Sequence, residues 1–189
     1  NCGSTWSSAL VVNIPDSAIT LPYTQDFQDT TAVGGWTFTS NVTDAWAIGS
    51  ATGNTGNSMY VSSDGGATNT YASVNSYIYA STIVAFGTGA QYSLSFDWKG
   101  LGESCCDKFS VYAMPFPATL PTSAYPSGTG VITLLAPTNQ VSSWTHVNLI
   151  LDSANYSNKI MNLVFVWHAD VSVNNNPPAA IDNISLHEI

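Results

Sequence analysis

The stretch QYSLSFDWKG, residues 91–100, alternates large apolar side chains with polar ones over its whole length. Successive side chains of a β-strand point to opposite faces, so this period of two predicts a strand with one buried face and one wet face. The side chains predicted to be buried are Tyr92, Leu94, Phe96 and Trp98.

The same period recurs along most of the chain. It predicts strands in GWTFTS (35–40), DAWAIG (44–49), NSMYVSS (57–63), NSYIYAST (75–82), DKFSVYAM (107–114) and WTHVNLILD (144–152). KIMNLVFVWHAD (159–170) is apolar on both faces in its middle, which is typical of a central, covered strand. Glycine-rich turn signals separate these runs, and short strands so punctuated favour an antiparallel sandwich or barrel.

Two segments lie outside this pattern. PFPATLPTSAYPSGTG (115–130) is rich in proline and glycine, and we interpret it as a long loop within the domain. Residues 1–20 are expected to form an extended lead-in, with an edge strand over 9–14. The single domain is then expected to occupy residues 21–189.

The composition restricts the partners. Only 8% of the residues are charged, against about 25% in typical domains, and three Lys and Arg face twelve Asp and Glu for a net charge of -9. So few cations exclude nucleic acid and disfavour anionic membranes as partners, and no apolar run is long enough to insert into a membrane. Carboxylates and amide carbonyls are suitable ligands for calcium.

The chain has three cysteines, Cys2 and the adjacent pair Cys105 and Cys106. This number leaves open a bridge from Cys2 to the pair, a bridge within the pair, or free thiols. No signal peptide is recognisable within the 189 residues, and the sequence starts abruptly at Asn1, so we expect it to be a processed or trimmed part of a longer protein.

Asp182 lies in the middle of the apolar run PPAAIDNISL, residues 177–186. Under simple alternation it shares the buried face with Ile184 and Leu186. An ionised carboxylate is costly to bury without a partner, so Asp182 needs hydrogen bonds from main-chain or hydroxyl groups, or a cation.

Four stretches, taken in order, resemble the cleaved-adhesin and MAM-like jelly-roll domains found on surface proteins, notably of Bacteroidetes. They are LPYTQDFQD (21–29), DAWAIGSATGNTGNSMYVSSDGGATNTY (44–71), SLSFDWKGLGE (93–103) and PPAAIDNISL. The resemblance implies an all-β, antiparallel two-sheet jelly-roll sandwich. It also implies a non-catalytic, extracellular binding or adhesion module, monomeric within a longer chain, whose ligand is a glycan or a host surface protein.

In a jelly roll the first and last strands lie side by side, which would bring Asp26, Gln28 or Asp29 close to Asp182. We predict that a structural calcium ion bridges these groups, although Gln28 stands where the family usually has Glu. Hydrogen bonding of Asp182 to the main chain is the alternative, and spacing alone favours it.

Asp64 and Asn69, with Asp44 nearby, are predicted to form a second calcium site. Without the resemblance, an ordinary Asp-Gly turn explains Asp64 as well.

Tyr77 and Tyr79 share one face of their predicted strand, and an exposed pair of rings there would form a stacking platform for sugars. Packing of the pair under a loop is the simpler interpretation. A secreted hydrolase acting on carbohydrate or peptide, and a structural spacer, remain alternatives. However, the chain has no Gly-x-Ser-x-Gly motif, and Glu103 and Asp107 are expected in a solvated loop.

Overall fold

The computed structural model describes residues 14–29, 33 and 35–189. Cys2 lies outside this part of the chain, as does the edge strand expected over 9–14, except for Ile14. The described part contains strands β1 (Ile19–Thr20), β2 (Tyr23–Gln25), β3 (Trp36–Ser40), β4 (Ala45–Gly49), β5 (Ser58–Ser62), β6 (Ser76–Ala85), β7 (Gln91–Gly100), β8 (Lys108–Pro115), β9 (Ile132–Thr138), β10 (Val141–Asp152), β11 (Ile160–Ala169) and β12 (Ala180–Glu188). A one-turn helix, α1 (Ser153–Tyr156), joins β10 to β11, and no described helix is long and apolar enough to cross a membrane.

The strands form two sheets of six. The first has the order β1-β6-β11-β8-β9 with β3 also pairing with β6, and the second has the order β10-β7-β12-β5-β4 with β2 also pairing with β12. The predicted two-sheet β-sandwich is therefore confirmed. One pairing, β1 with β6, is parallel, and it brings Ile19 and Thr20 of the expected lead-in into the first sheet.

The core between the sheets is built from the inward faces of the alternating strands. The Phe165 ring of β11 lies 5.3 Å from the Phe96 ring of β7 and 5.6 Å from the Trp36 ring of β3, measured between centroids. Phe96 and Phe165 are completely buried. Aromatic contacts of this kind add to the free energy of burial and join the two sheets.

A bulge in β12 changes which residues face this core. The register between β12 and β7 shifts between Asp182 and Ser185, and Asn183 has a φ of 51°. The extra residue lets Ile181 and Ile184 both reach the core, whereas regular alternation would place them on opposite faces. The predicted face of Asp182 is therefore wrong. It pairs with Asp97 and lies on the outer face of the second sheet, where it is still buried, with 1% of its surface exposed.

The outer face of the first sheet carries a second apolar cluster, formed by Tyr79, Tyr112, Met114, Val164 and Val166. The segment between β8 and β9 covers it, because Leu120, Tyr125 and Val131 pack on the cluster. This segment was predicted to be a loop, and the structure confirms it.

Replacing Phe165 by Ala should lower the free energy of unfolding by about 3–5 kcal/mol, since it leaves a cavity where three aromatic rings meet. Ile150→Ala is the matched control, because the Ile150 side chain is 57% exposed. Chemical denaturation monitored by circular dichroism measures both. Equal losses for the two variants would contradict the assignment of the core.

Candidate functional site

The strand that opens the predicted domain, β2, lies beside the last strand, β12, as the jelly-roll prediction requires. Gln25 of β2 pairs with Ile184 of β12. The residues immediately after β2 contact the 53–57 loop, and this loop in turn contacts Asp182. We call Asp26, Gln28, the 53–57 loop and Asp182 the chain-end clasp.

The Gln28 amide organises the clasp. Its Nε2 donates towards three main-chain carbonyl oxygens, those of Asp26 at 2.7 Å, Thr55 at 2.8 Å and Asn57 at 3.0 Å. Its Oε1 accepts from the main-chain N–H of Asn57 at 3.1 Å. An amide nitrogen carries only two hydrogens. Gln28 Nε2 can therefore donate fully to only two of the three carbonyl oxygens that converge on it.

Asp182 is held mainly by main-chain groups. Its Oδ1 accepts from the N–H of Asn183 at 2.8 Å. Burial raises the pKa of Asp182, and the nearby charge of Asp26 adds to this rise. Hydrogen bonds from the main-chain N–H groups of Asn183, Asn54 and Thr55 lower the pKa and offset part of it. The structure thus brings Asp26 close to Asp182 as predicted, attaches Gln28 to the loop that Asp182 contacts, and gives Asp182 the hydrogen bonds of the alternative interpretation.

The predicted second calcium site divides into two parts. Asp64 is fully exposed and accepts hydrogen bonds from Ser62 Oγ at 2.7 Å and from Thr68 Oγ1 at 2.6 Å, which lower its pKa to about 2. Asp64 therefore stabilises the 62–68 turn, as the Asp-Gly interpretation holds.

Asp44 and Asn69 behave differently, because each is buried and has an oxygen without a hydrogen-bond partner. Asp44 Oδ2 accepts from the main-chain N–H of Ala72 at 2.8 Å, and Asn69 Nδ2 donates to the Val61 carbonyl at 3.0 Å. Oδ1 of Asp44 and Oδ1 of Asn69 are unpaired among the described residues. Burial raises the pKa of Asp44, and the bond from Ala72 only partly offsets it.

The predicted tyrosine platform is wrong for Tyr79. Its side chain is 1% exposed, and its hydroxyl donates to the Ala124 carbonyl at 2.8 Å under the β8–β9 loop. Tyr77 is partly exposed, but its ring stacks on His168 at 4.2 Å between centroids and meets Tyr125 edge-on at 5.3 Å. The loop packing considered as the simpler interpretation is what the structure contains.

The expectation of a solvated loop at Glu103 and Asp107 is wrong for Asp107, which is completely buried. Asp107 Oδ2 accepts from the Tyr71 hydroxyl and the Glu103 N–H, and Oδ1 accepts from the Asp170 N–H at 3.0 Å. Both oxygens are therefore engaged in holding the β7–β8 loop. A disulfide between Cys105 and Cys106 lies in this loop, which settles the pairing that the sequence left open for these two cysteines.

The outer face of the second sheet carries a different group of side chains. Lys99 alternates with the core residue Trp98 and so lies on the outer face, and its ammonium is 5.0 Å from the centroid of the Trp144 ring. Trp144 of β10 is therefore on that face too, partly exposed and outside both apolar clusters. We call Trp144, Lys99, Asp97, His146 and Asn148 the Trp144 patch.

Hydrogen bonds fix the polar members of the patch. Asp97 Oδ1 lies 2.8 Å from His146 Nδ1, and Asp97 Oδ2 accepts from Asn183 Nδ2 at 2.8 Å and from Asn54 Nδ2 at 3.0 Å. Although partial burial acts to raise the pKa of Asp97, these bonds lower it below its usual value, so the carboxylate stays charged. Asn148 Oδ1 accepts from the Ser93 hydroxyl at 3.1 Å.

Trp144 was not among the predicted site residues, although the alternation of its strand indicates that it faces outwards. Val147, Leu149 and Leu151 face the core from WTHVNLILD, so the alternate residues 144, 146, 148 and 150 fall on the wet face. A tryptophan among them departs from the other described tryptophans, which are Trp36, Trp46, Trp98 and Trp167 and all contribute to the core.

Neither models of protein families nor the curated proteins contain a match to this chain. Among solved structures, the CBM22-1 xylan-binding domain of Paenibacillus barcinonensis Xyn10C is similar with a TM-score of 0.54 at 12% identity, covering 88% of this chain and 93% of that domain. TmCBM61, solved in complex with β-1,4-galactotriose, has a TM-score of 0.52 at 12% identity, covering 87% of this chain and 95% of that chain.

The enzymatically active domain of bacteriophage CBA120 tailspike protein 4 has a TM-score of 0.53 at 12% identity. That alignment covers 82% of this chain but only 19% of the tailspike chain. At such low identity these similarities establish the fold, a two-layered β-sandwich of the kind found in carbohydrate-binding modules, and leave the ligand of this chain open.

Gly56→Ala tests the clasp. A Cβ at Gly56 would lie 2.1 Å from Gln28 Oε1, so the Gln28 amide would have to leave its hydrogen bonds. Gly65→Ala is the matched control, because Gly65 has a similar φ of 73° against 77° but nothing within 4 Å of the added Cβ. We expect Gly56→Ala to lower the free energy of unfolding by about 1 kcal/mol more than the control. Equal effects would show that Gln28 does not hold the loop.

Proposed function

We propose that this chain is a non-catalytic glycan-binding module and that the Trp144 patch is its binding surface. The observation that carries the proposal is a partly exposed indole on the same sheet face as a set of hydrogen-bonded polar side chains. Pyranose rings present C–H groups that pack on the face of an aromatic ring. A few fixed carboxylate, amide and imidazole groups beside such a ring are suited to hold the sugar hydroxyls.

The choice of this surface rests on which rings are available. The face of Tyr77 that stacks on His168 is occupied by the protein itself, and Tyr125 takes a further contact. Among the described residues, the Lys99 ammonium is the one cation or aromatic group found against the Trp144 ring. The two solved carbohydrate-binding domains of similar fold and size, one xylan-binding and one bound to a galactotriose, support a glycan over other ligand classes.

The setting we propose is extracellular, on a secreted or cell-surface protein in which this domain mediates adhesion to a glycan. Its support is the resemblance of the strand-forming motifs to the cleaved-adhesin and MAM-like domains, together with the polar, weakly charged composition.

A hydrolase has less support. Glu103, Asp107 and Asp170 place carboxylate oxygens within 4.8 Å of one another. However, the Ser172 hydroxyl lies between Glu103 and Asp170 and shares its single hydrogen with them, and Asp107 is engaged by Tyr71 and by main-chain groups. These contacts hold loops together, which gives a general-base role less support.

We further propose that calcium binds the chain-end clasp. The donor set fits a hard cation, since three carbonyl oxygens already converge on the Gln28 amide and the carboxylates of Asp26 and Asp182 are close by. Calcium takes about six to eight oxygen ligands of these kinds. Bound there, it would neutralise two nearby acids and join the segment that follows β2 to β12.

A second calcium ion is proposed at Asp44 and Asn69. A buried carboxylate oxygen and a buried amide oxygen without partners are costly, and a cation would satisfy both. Asn69 belongs to the 61–72 segment and Asp44 contacts it. The main-chain carbonyls of this segment offer further ligands. Asp64 has no part in this proposal, because its oxygens bond to Ser62 and Thr68.

Trp144→Ala should abolish retention of the domain by immobilised xylan or β-1,4-galactan, because it removes the stacking ring, and it should leave the melting temperature within about 2 °C of the wild type. Affinity electrophoresis with each polysaccharide in the gel measures retention. Tyr77→Ala is the comparison variant and should keep retention. Loss of retention in Tyr77→Ala alone would show that the binding site lies on the first sheet and not at the Trp144 patch.

Calcium should raise the melting temperature by about 5–10 °C over the chelated protein, as expected for a ligand near one hundred times its Kd on a domain of this size. Asp182→Asn and Asp44→Asn should each remove part of this rise. In chelator at neutral pH the same variants should be no less stable than the wild type, because raised pKa values mean that ionisation of these carboxyls opposes folding.

Asp16→Asn, at an exposed residue, is the control for the lost charge. Melting temperatures that do not respond to calcium would exclude both sites. Loss of stability in chelator would show that the carboxylates act through hydrogen bonds alone.

A further inference from the structure

We propose that the Trp144 patch selects glycans that carry a carboxylate, a hexuronic acid being the simplest, with the sugar ring on Trp144 and its carboxylate on the Lys99 ammonium. This inference rests on the proposed glycan binding at the same patch and specifies the class of sugar. The juxtaposition that carries it is an aromatic ring with a lysine that has no oxygen acceptor among the described residues.

Lys99 differs from the other lysines of the chain. Lys108 Nζ donates to the Ser104 carbonyl at 2.8 Å and to Asn139 Oδ1 at 3.1 Å, and Lys159 Nζ donates to the Ala154 carbonyl at 2.9 Å. Within residues 14–29, 33 and 35–189, Lys99 Nζ has the Trp144 ring as its neighbour and no oxygen acceptor. An ammonium has three donors, so all three are available to a ligand.

The nearest acid on the same face does not neutralise Lys99. Asp97 lies two residues earlier on β7, but its oxygens bind His146, Asn183 and Asn54. The contact between Asp97 and His146, which is an ion pair when the imidazole is protonated, is the one acid–base pair within 4.0 Å in the described part of the chain. None of the three lysines pairs with a carboxylate in that part of the chain, and Lys99 differs from the other two in having no oxygen acceptor there either.

The surroundings of Lys99 strengthen its attraction for an anion. The side chain is partly buried, and burial lowers the pKa of the ammonium, which shows that its charge is incompletely solvated. A ligand carboxylate would supply the missing counter-charge at short range, where a charge-assisted hydrogen bond is strong. The ring of Trp144 would fix the sugar so that this bond forms without further ordering.

The net charge of -9 sets a limit on this attraction. The protein as a whole repels a long polyanion, so recognition of the carboxylate has to be local, at Lys99. Short acidic oligosaccharides, or neutral chains with isolated uronate branches, fit this requirement better than densely charged polymers do.

The test compares glycans that differ only in the carboxylate. The probes are glucuronoxylan with its carboxyl-reduced form, and short oligogalacturonates with their methyl esters. Isothermal titration calorimetry on the full chain should give at least about tenfold tighter binding to the acidic member of one pair, the range expected for one charged hydrogen bond. That preference should weaken as salt is raised.

Lys99→Met should bring the acidic-to-neutral ratio close to one, because it removes the affinity gained from the carboxylate, and Lys99→Arg should keep the ratio. Lys159→Met removes the same charge elsewhere and should leave the ratio unchanged. Equal affinity of the wild type for both members of each pair, or a ratio that Lys99→Met does not alter, would overturn the inference while glycan binding stands. Failure to bind acidic and neutral glycans alike would overturn both the inference and the proposed function.

Discussion

A β-strand has two faces, and the commitment of one face of β7 to the core determines what the other can carry. Leu94, Phe96 and Trp98 pack against the opposite sheet, and the residues between them are therefore held towards solvent. Because β10 pairs with β7 in register, His146 lies opposite Asp97 and Asn148 opposite Ser95. The aromatic core thus fixes the positions of the polar side chains of the Trp144 patch, which a flexible loop would not do.

The bulge in β12 is the local exception to this alternation. By adding one residue it keeps Ile181 and Ile184 in the core and puts the Asp182 carboxylate on the outer face, within reach of the 53–57 loop. The chain-end clasp therefore depends on a change of register and not on the apolar pattern around it. Asn183 joins the two regions, because its main-chain N–H donates to Asp182 and its side-chain amide donates to Asp97.

Much of the fold was predictable from periodicity, which records local alternation directly. The strands over 91–100, 107–114, 144–152 and 159–170 all form where the pattern places them. The pairing of the opening strand of the predicted domain, β2, with the last strand, β12, was expected from the jelly-roll resemblance and is present. The outward position of Asp182 was not predictable, because a bulge depends on tertiary packing and leaves no change in the period of the sequence.

The sites were predicted less well, for identifiable reasons. The exposure of Tyr79 depends on whether a distant loop crosses it, and the solvation of Asp107 depends on Tyr71, which lies 36 residues away. Both facts depend on residues that are distant in the sequence, so the local pattern does not reveal them. Trp144 was within reach of the alternation argument, and it was missed because most tryptophans of such a chain belong to the core. The pairing of Asp97 with His146 required the register between β7 and β10, which no single strand reveals.

The central claim is that Trp144 contacts a sugar on the outer face of the second sheet. A two-dimensional 1H–15N spectrum resolves the indole N–H of each tryptophan, and titration with xylo-oligosaccharides, β-1,4-galactotriose and oligogalacturonates reports which ring meets the ligand. The account predicts that with at least one of these probes the Trp144 signal shifts progressively, while those of the buried Trp46 and Trp98 stay in place. A Trp144 signal that stays fixed while Tyr77 or His168 resonances move, or a spectrum that no probe changes, would contradict it.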